Sequence, residues 1–161
     1  MPVIHLETEI HAPIEICFDL SISIDLHMLS TEATREKAIA GRTSGLIGLN
    51  ETVTWHAKHF GVWQKITVQI TAFKKPEYFT DEMVKGAFKS MKHIHYFAEK
   101  PYGTLMKDEF AFESPLGVVG KFVNWLILKK YMTNLLKERN RVLKEVAESG
   151  KWREILKRET Y

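Results

Sequence analysis

From Leu116 to about Ala147 the chain carries no proline, and this stretch constrains the fold more than any other. Ser114–Pro115 immediately before it reads as a helix start. A serine oxygen can accept from an orphan N–H there, and proline in the first turn forfeits no hydrogen bond. Apolar residues recur at 128, 132, 135, 142 and 146, so the spacing predicts a helix of about 32 residues, roughly 48 Å long. Its first half, including Val119, Phe122, Val123, Trp125 and Leu126, is apolar nearly all round. Such a helix needs contact on more than one side. Gly150 supplies a stop, and Lys151–Tyr161 follows as a basic, partly helical tail.

What precedes the helix is written in a different period. Val3–His11 alternates, with Ile4, Leu6 and Ile10 on one side. Ala12–Pro13 breaks it, and two short helices are expected, over Ile14–Leu20 and over Ser23–Leu29. From Glu36 onward the periodicity is two. Strands are expected over Glu36–Thr43, Glu51–Phe60, Trp63–Phe73, Phe79–Lys85, Lys89–Glu99 and Thr104–Glu113. Val53, Trp55 and Ala57 face inward on one of them, and Ile66, Val68, Ile70 and Ala72 on the next. Gly61, Lys74–Pro76, Gly86 and Pro101–Gly103 mark short connections, so the strands form an antiparallel meander. The expected class is α+β: a curved antiparallel sheet of about six to seven strands wrapped around one long C-terminal helix, with two short helices after the first strand. Bending a sheet around a helix buries both apolar faces and leaves a hollow between them. Residues 1–149 are read as one domain, and 150–161 as the tail.

The bulk properties exclude several function classes. At 161 residues with 45% hydrophobic content, one sizeable core is expected. No apolar run reaches the length that crosses a bilayer, and the N-terminus lacks the pattern of a secretory signal. Cys17 is the only cysteine and has apolar neighbours, as suits a core residue in a reducing compartment. The expected location is the cytoplasm, without integral membrane association. Net charge is +3, from 23 Lys+Arg and 20 Asp+Glu. Residues 121–161 hold 11 basic and 5 acidic side chains, a balance of +6. The acids are interspersed and no aromatic-interleaved basic patch accompanies them, so no nucleic-acid partner is expected. Oligomeric state is open.

Four polar residues stand out. His93 and His95 are i and i+2 on a strand and so share a face. With a third ligand from His56, His59, Asp81 or Asp108 they would make a metal site. No CxxC or HExxH spacing supports that, and hydrogen bonding across the sheet accounts for them equally well; no metal and no cofactor is expected. Asp108 falls on a strand face otherwise built from Thr104, Met106, Phe110 and Phe112. A carboxylate there must find partners, since an unpaired buried charge is too costly. Arg139 falls on the predicted helix stripe 128, 132, 135, 139, 142, 146. Asp108, His93, His95 and Arg139 are therefore read as a polar cluster in the hollow or, alternatively, as an ion pair that orients the helix. Trp55, Phe110, Phe112 and Trp125 are read as its apolar lining. No nucleophile elbow and no phosphate-binding loop is present.

The order of elements and several local motifs resemble the START-like (SRPBCC, birch-pollen-allergen type) superfamily, the helix-grip fold. The residues that carry this are Phe60–Gly61 before a strand, FTDEMVKGAF at 79–88, His93-x-His95, Gly103–Thr104, Asp108, SPLG at 114–117 and Glu138–Arg139, with AP at 12–13 and FDL at 18–20 in the first half. They are most similar to the bacterial ligand-binding, polyketide cyclase/dehydrase-like subgroup. The resemblance implies a fold that holds a small hydrophobic molecule, and it brings no catalytic motif with it. The expected function is therefore binding of a lipid-, polyketide- or isoprenoid-like compound between sheet and helix, with little or no catalysis. An enzyme using a cavity His or Asp, and a protein-interaction module with a collapsed cavity, remain as alternatives.

Overall fold

The computed structural model describes residues 1–114 and 121–157, and for 121–125 the backbone alone. Strand β1 (Val3–Ile10) leads into helices α1 (Ile14–Ser21) and α2 (Ile24–Ser30) and a single 3-10 turn at Glu32–Thr34. Strands β2 (Lys37–Gly41), β3 (Thr52–His59), β4 (Val62–Lys74), β5 (Tyr78–Lys85), β6 (Ser90–Lys100) and β7 (Gly103–Glu113) follow. The chain ends in α3 (Lys121–Ser149) and a short α4 (Trp152–Lys157). The seven strands form one antiparallel sheet in the order β1-β7-β6-β5-β4-β3-β2. It is a meander from β2 to β7, to which β1 returns as the far edge.

The alternation that specified the strands is the alternation of burial. Val53, Trp55 and Ala57 face the interior from β3, as do Met91, His93, His95 and Phe97 from β6 and Met106, Asp108, Phe110 and Phe112 from β7. In β4 the expected phase fails at one point. Register shifts between Ile70 and Ala72 where β4 pairs with β5, and beyond this bulge Phe73, rather than Ala72, meets the core. An extra residue on one strand inverts the side-chain alternation past it. Phe73 thereby reaches Phe18 of α1, which also meets Phe79 and Phe97 edge-on, with ring centroids 5.3–5.6 Å apart. Phe18 is fully buried, and truncating such a ring costs about 3–5 kcal/mol.

Helix α2 is capped as its sequence requires, with the Ser23 hydroxyl accepting from the Leu26 amide at 3.2 Å. Helix α3 stops at Ser149, and Gly150 has φ +78°, the left-handed residue that ends helices. Of the start expected at Ser114–Pro115, Ser114 is described, and Pro115 with the residues to 120 lies outside the described set. The stripe that α3 buries is Met132, Leu136, Asn140, Leu143, Val146 and Ala147. It is rotated by about one residue from the expected one, so Asn140, not Arg139, is the polar residue at its centre. Beyond Gly150 the segment expected as a tail turns back as α4, where Trp152, Ile155 and Leu156 pack against the core.

Gly103 shows where glycine is obligatory. Its φ is +144°, and a Cβ there would lie 2.4 Å from the Ile10 carbonyl oxygen. That close approach lets the adjacent Thr104 hydroxyl donate to the Ala12 carbonyl at 2.8 Å, tying β7 to the link between β1 and α1.

Candidate functional site

A cavity of about 470 Å³ lies between strands β3–β7 and α3. Its walls are mainly apolar, with Trp55, Val68, Met91, Phe110, Met132 and Leu136 among them. At one lip the β3–β4 hairpin leans on the helix. His59 Nδ1 and the Tyr131 hydroxyl are 2.8 Å apart, and the Phe60 ring lies 4.4 Å from the Tyr131 ring. Phe60 is held at φ +50° beside Gly61 at φ +77°, a tight hairpin turn.

One wall is polar, and β5, β6, β7 and α3 build it together. Because β6 sits between β5 and β7, His95 faces Asp108 on one side and the neighbourhood of Asp81 on the other. His93 Nε2 donates to Asp108 Oδ1 at 2.9 Å, and His95 Nδ1 lies 2.9 Å from that same oxygen. His95 Nε2 hydrogen-bonds Asp81 Oδ1 at 3.2 Å. Asn140 reaches down from α3 and donates from Nδ2 to Asp108 Oδ2 at 2.6 Å and to the Thr8 hydroxyl at 3.2 Å. Asp108 is thus satisfied at both oxygens although only 3% exposed.

The protonation of the cluster follows from these contacts. Burial opposes ionisation of Asp108, but hydrogen bonds from His93 and His95 outweigh it and hold its carboxyl well below the usual range. Asp81 is shifted the same way: burial opposes, while the His95 hydrogen bond and the nearby imidazoles prevail. Burial lowers His93 and the neighbouring His95 reinforces this, so His93 is neutral. His95 is raised, because hydrogen bonding to Asp108 and Asp81 overcomes its burial. One ligand atom from each of Asp81, His93 and His95 lies within 4.8 Å of the others.

Further along the wall stand His27 and Glu36. The His27 ring stacks on Trp55 with centroids 3.9 Å apart. Its Nε2 is 3.4 Å from Glu36 Oε2 but off the line a hydrogen bond needs. That leaves a buried nitrogen with no hydrogen-bond partner among the described residues, on a residue that lines the cavity. Burial, and then Arg139, lower the pKa of His27.

The eight sequence-selected residues therefore separate by position. His93, Arg139, Trp55 and Phe110 line the cavity. Asp108 and His95 stand behind His93 in the buried cluster. Phe112 is wholly buried between Phe88 and Phe110, away from the cavity surface, and the Trp125 side chain lies outside the described residues. The expected pairing of Asp108 with Arg139 does not form; the carboxylate takes Asn140 instead. Sequence reasoning missed Asn140, His27 and Glu36.

No protein-family model matches the chain, and no curated protein matches its sequence. Solved structures do match by shape. A protein of Thermus thermophilus superposes with a TM-score of 0.76 at 14% identity, covering 92% of this chain and 99% of that one. A START superfamily protein of Mycobacterium smegmatis gives 0.69 at 12% identity, covering 91% and 97%. Major latex-like protein 151 of Panax ginseng gives 0.65 at 16% identity, also covering 91% and 97%. At such identities the likeness is one of fold, and the fold is the START-like helix grip.

Proposed function

We propose that this protein binds a small, largely apolar molecule of lipid, polyketide or isoprenoid type between its sheet and α3, as a carrier or sequestering domain without chemistry of its own. The observation that carries the reading is the 470 Å³ cavity with apolar walls and a few convergent polar groups, the composition expected of a ligand site in the ~300–1,000 Å³ range. Apolar contact supplies affinity at about 0.8 kcal/mol per buried methylene. His27, Glu36, Arg139 and His93 on the same wall support a ligand with one polar end, since a polar group enters an apolar cavity favourably only where it finds partners. The buried thiol of Cys17 supports action in a reducing compartment, the cytoplasm.

The test is native mass spectrometry of freshly purified protein, combined with displacement of a fluorescent apolar probe. Ala57 is buried on β3 and lines the cavity, so Ala57→Phe fills the space from within. Probe affinity should fall at least about tenfold, the equivalent of 1.4 kcal/mol, with thermal stability kept. A mass without adduct, together with no thermal shift across a lipid and polyketide panel, would remove the reading.

One observation favours a second reading, a proton-transferring cyclase, dehydratase or hydrolase. Asp108 fixes His93 through Nε2 and leaves Nδ1 at the cavity wall, 4.0 Å from Asp81 Oδ1. A base oriented by a buried carboxylate is the usual catalytic arrangement. Turnover that vanishes in His93→Gln while probe binding persists would establish it. An interaction module with a collapsed cavity is the weakest reading, because the space is open.

A further inference from the structure

We infer that Asp81, His93 and His95 form a binding site for one divalent transition-metal ion of the zinc type, opening onto the cavity. The donor set is two imidazoles and one carboxylate, which suits such ions. The ligand atoms are His93 Nδ1, His95 Nε2 and an Asp81 oxygen; Asp81 Oδ1 lies 4.0 Å from the first and 3.2 Å from the second. All three donors fall within 4.8 Å of one another. Bonds of about 2.0–2.2 Å require donors roughly 3–3.5 Å apart, so a side-chain shift of about an ångström suffices. Asp81 is part-exposed at the cavity wall and, among the described residues, its side chain is hydrogen-bonded only to His95; it is the residue that can make the shift.

The second observation lies behind the ligands. A carboxylate only accepts, so Asp108, 2.9 Å from His93 Nε2 and from His95 Nδ1, faces a proton on each. Both rings are thereby turned so that the opposite nitrogens point toward Asp81. Metal-bound histidines are oriented in this way, each by a carboxylate on its far nitrogen; here one buried carboxylate serves two rings and is itself held by Asn140.

Charge points the same way. His95 has a carboxylate oxygen at each ring nitrogen, an arrangement satisfied by two protons, or by one proton and a metal. The ion would keep open positions toward the cavity, since the protein supplies three ligands among its described residues.

The experiment uses the metal alone, independently of any apolar ligand. Chelator-stripped protein is titrated calorimetrically with Zn²⁺ and optically with Co²⁺. The expected result is one saturable equivalent, with Co²⁺ showing the intense visible d–d absorption of coordination below six. Asp81→Asn and His93→Gln should each weaken binding at least about 100-fold. Asp108→Asn should weaken it about 10- to 100-fold without abolishing it, as loss of an orienting partner does. His5→Gln and His11→Gln, on the opposite edge strand and its end, should change nothing. Circular dichroism and apolar-probe binding by the stripped protein report folding and the cavity separately, so a failed metal site and a failed ligand site are distinguishable. If His93→Gln does not fold, Asp81→Asn decides alone. Absence of a saturable equivalent in the wild type, uptake unchanged in Asp81→Asn, or imidazole ¹⁵N shifts showing His95 doubly protonated with Zn²⁺ in excess would each overturn the inference.

Discussion

Asp108 condenses the protein's design into one side chain: an acceptor with no protons, placed where two imidazole donors and one amide donor converge. Asp108→Asn puts an NH₂ group where a donor already points. The expected cost is about 1–3 kcal/mol, read as a lower urea midpoint at unchanged slope. His27 gives a pH signature. Its folded-state pKa is depressed below the ordinary value of 6.5 by burial first and then by Arg139. Neutral His27 therefore contributes stability that is fully present above pH 6.5 and lost as the pH falls toward the folded-state value. Urea midpoints measured from about pH 7 down to about pH 5 should decline less steeply in His27→Gln than in the wild type; equal slopes would remove His27 from the acid response. At this scale the site was half legible. An Asp on an apolar strand face, and histidines two apart, announce themselves through period two. Asn140 did not, because the doublets Leu135–Leu136, Val142–Leu143 and Val146–Ala147 fit two stripe phases one residue apart, and packing against β1, α1 and α2 selects between them. His27 and Glu36 lie far along the chain from the rest of the wall and carry no local signal.

Elements were more legible than sites, since periodicity averages over many residues while a site depends on a few. Every strand and both early helices follow from alternation, prolines and caps. The β4 bulge was not visible, because Thr71, Ala72 and Phe73 are compatible with either phase and the choice is made by Phe18 across the interior. The β3–β4 hairpin carries a conflict that can be tested. A phenylalanine at φ +50° costs about 1–2 kcal/mol relative to a residue at ease there, and Asn-Gly is the favoured pair for such a turn. Phe60 stays for its contact with Tyr131. Phe60→Asn should therefore stabilise the fold by about 1 kcal/mol while loosening the cavity lip. Stopped-flow displacement of an apolar probe should show a dissociation rate raised severalfold; an unchanged rate would mean that the aromatic contact does not gate exchange.

For the molecule as a whole, the hollow is the term that ligand binding can repay. A compound at about 100 times its dissociation constant adds about 2.7 kcal/mol to the folded state. Thermal unfolding with and without a bound molecule should therefore differ by several degrees in the wild type and hardly at all in Ala57→Phe. None of the described helices is long and apolar enough to cross a membrane. The START-like architecture was legible because it satisfies seven alternating segments and one long helix at once. The cavity wall was less so, since an apolar wall reads like an apolar core until its geometry is known.

The pairing of β1 with β7, residue 3 beside residue 111, has a further consequence. Strand β1 finds its neighbour only after about a hundred more residues are made, and the helix that covers the hollow comes later still. At roughly 5–20 residues per second, the 29 residues of α3 take a few seconds to make, so a guest already lying on the inner face of the sheet when that helix docks would be enclosed without passing any gate.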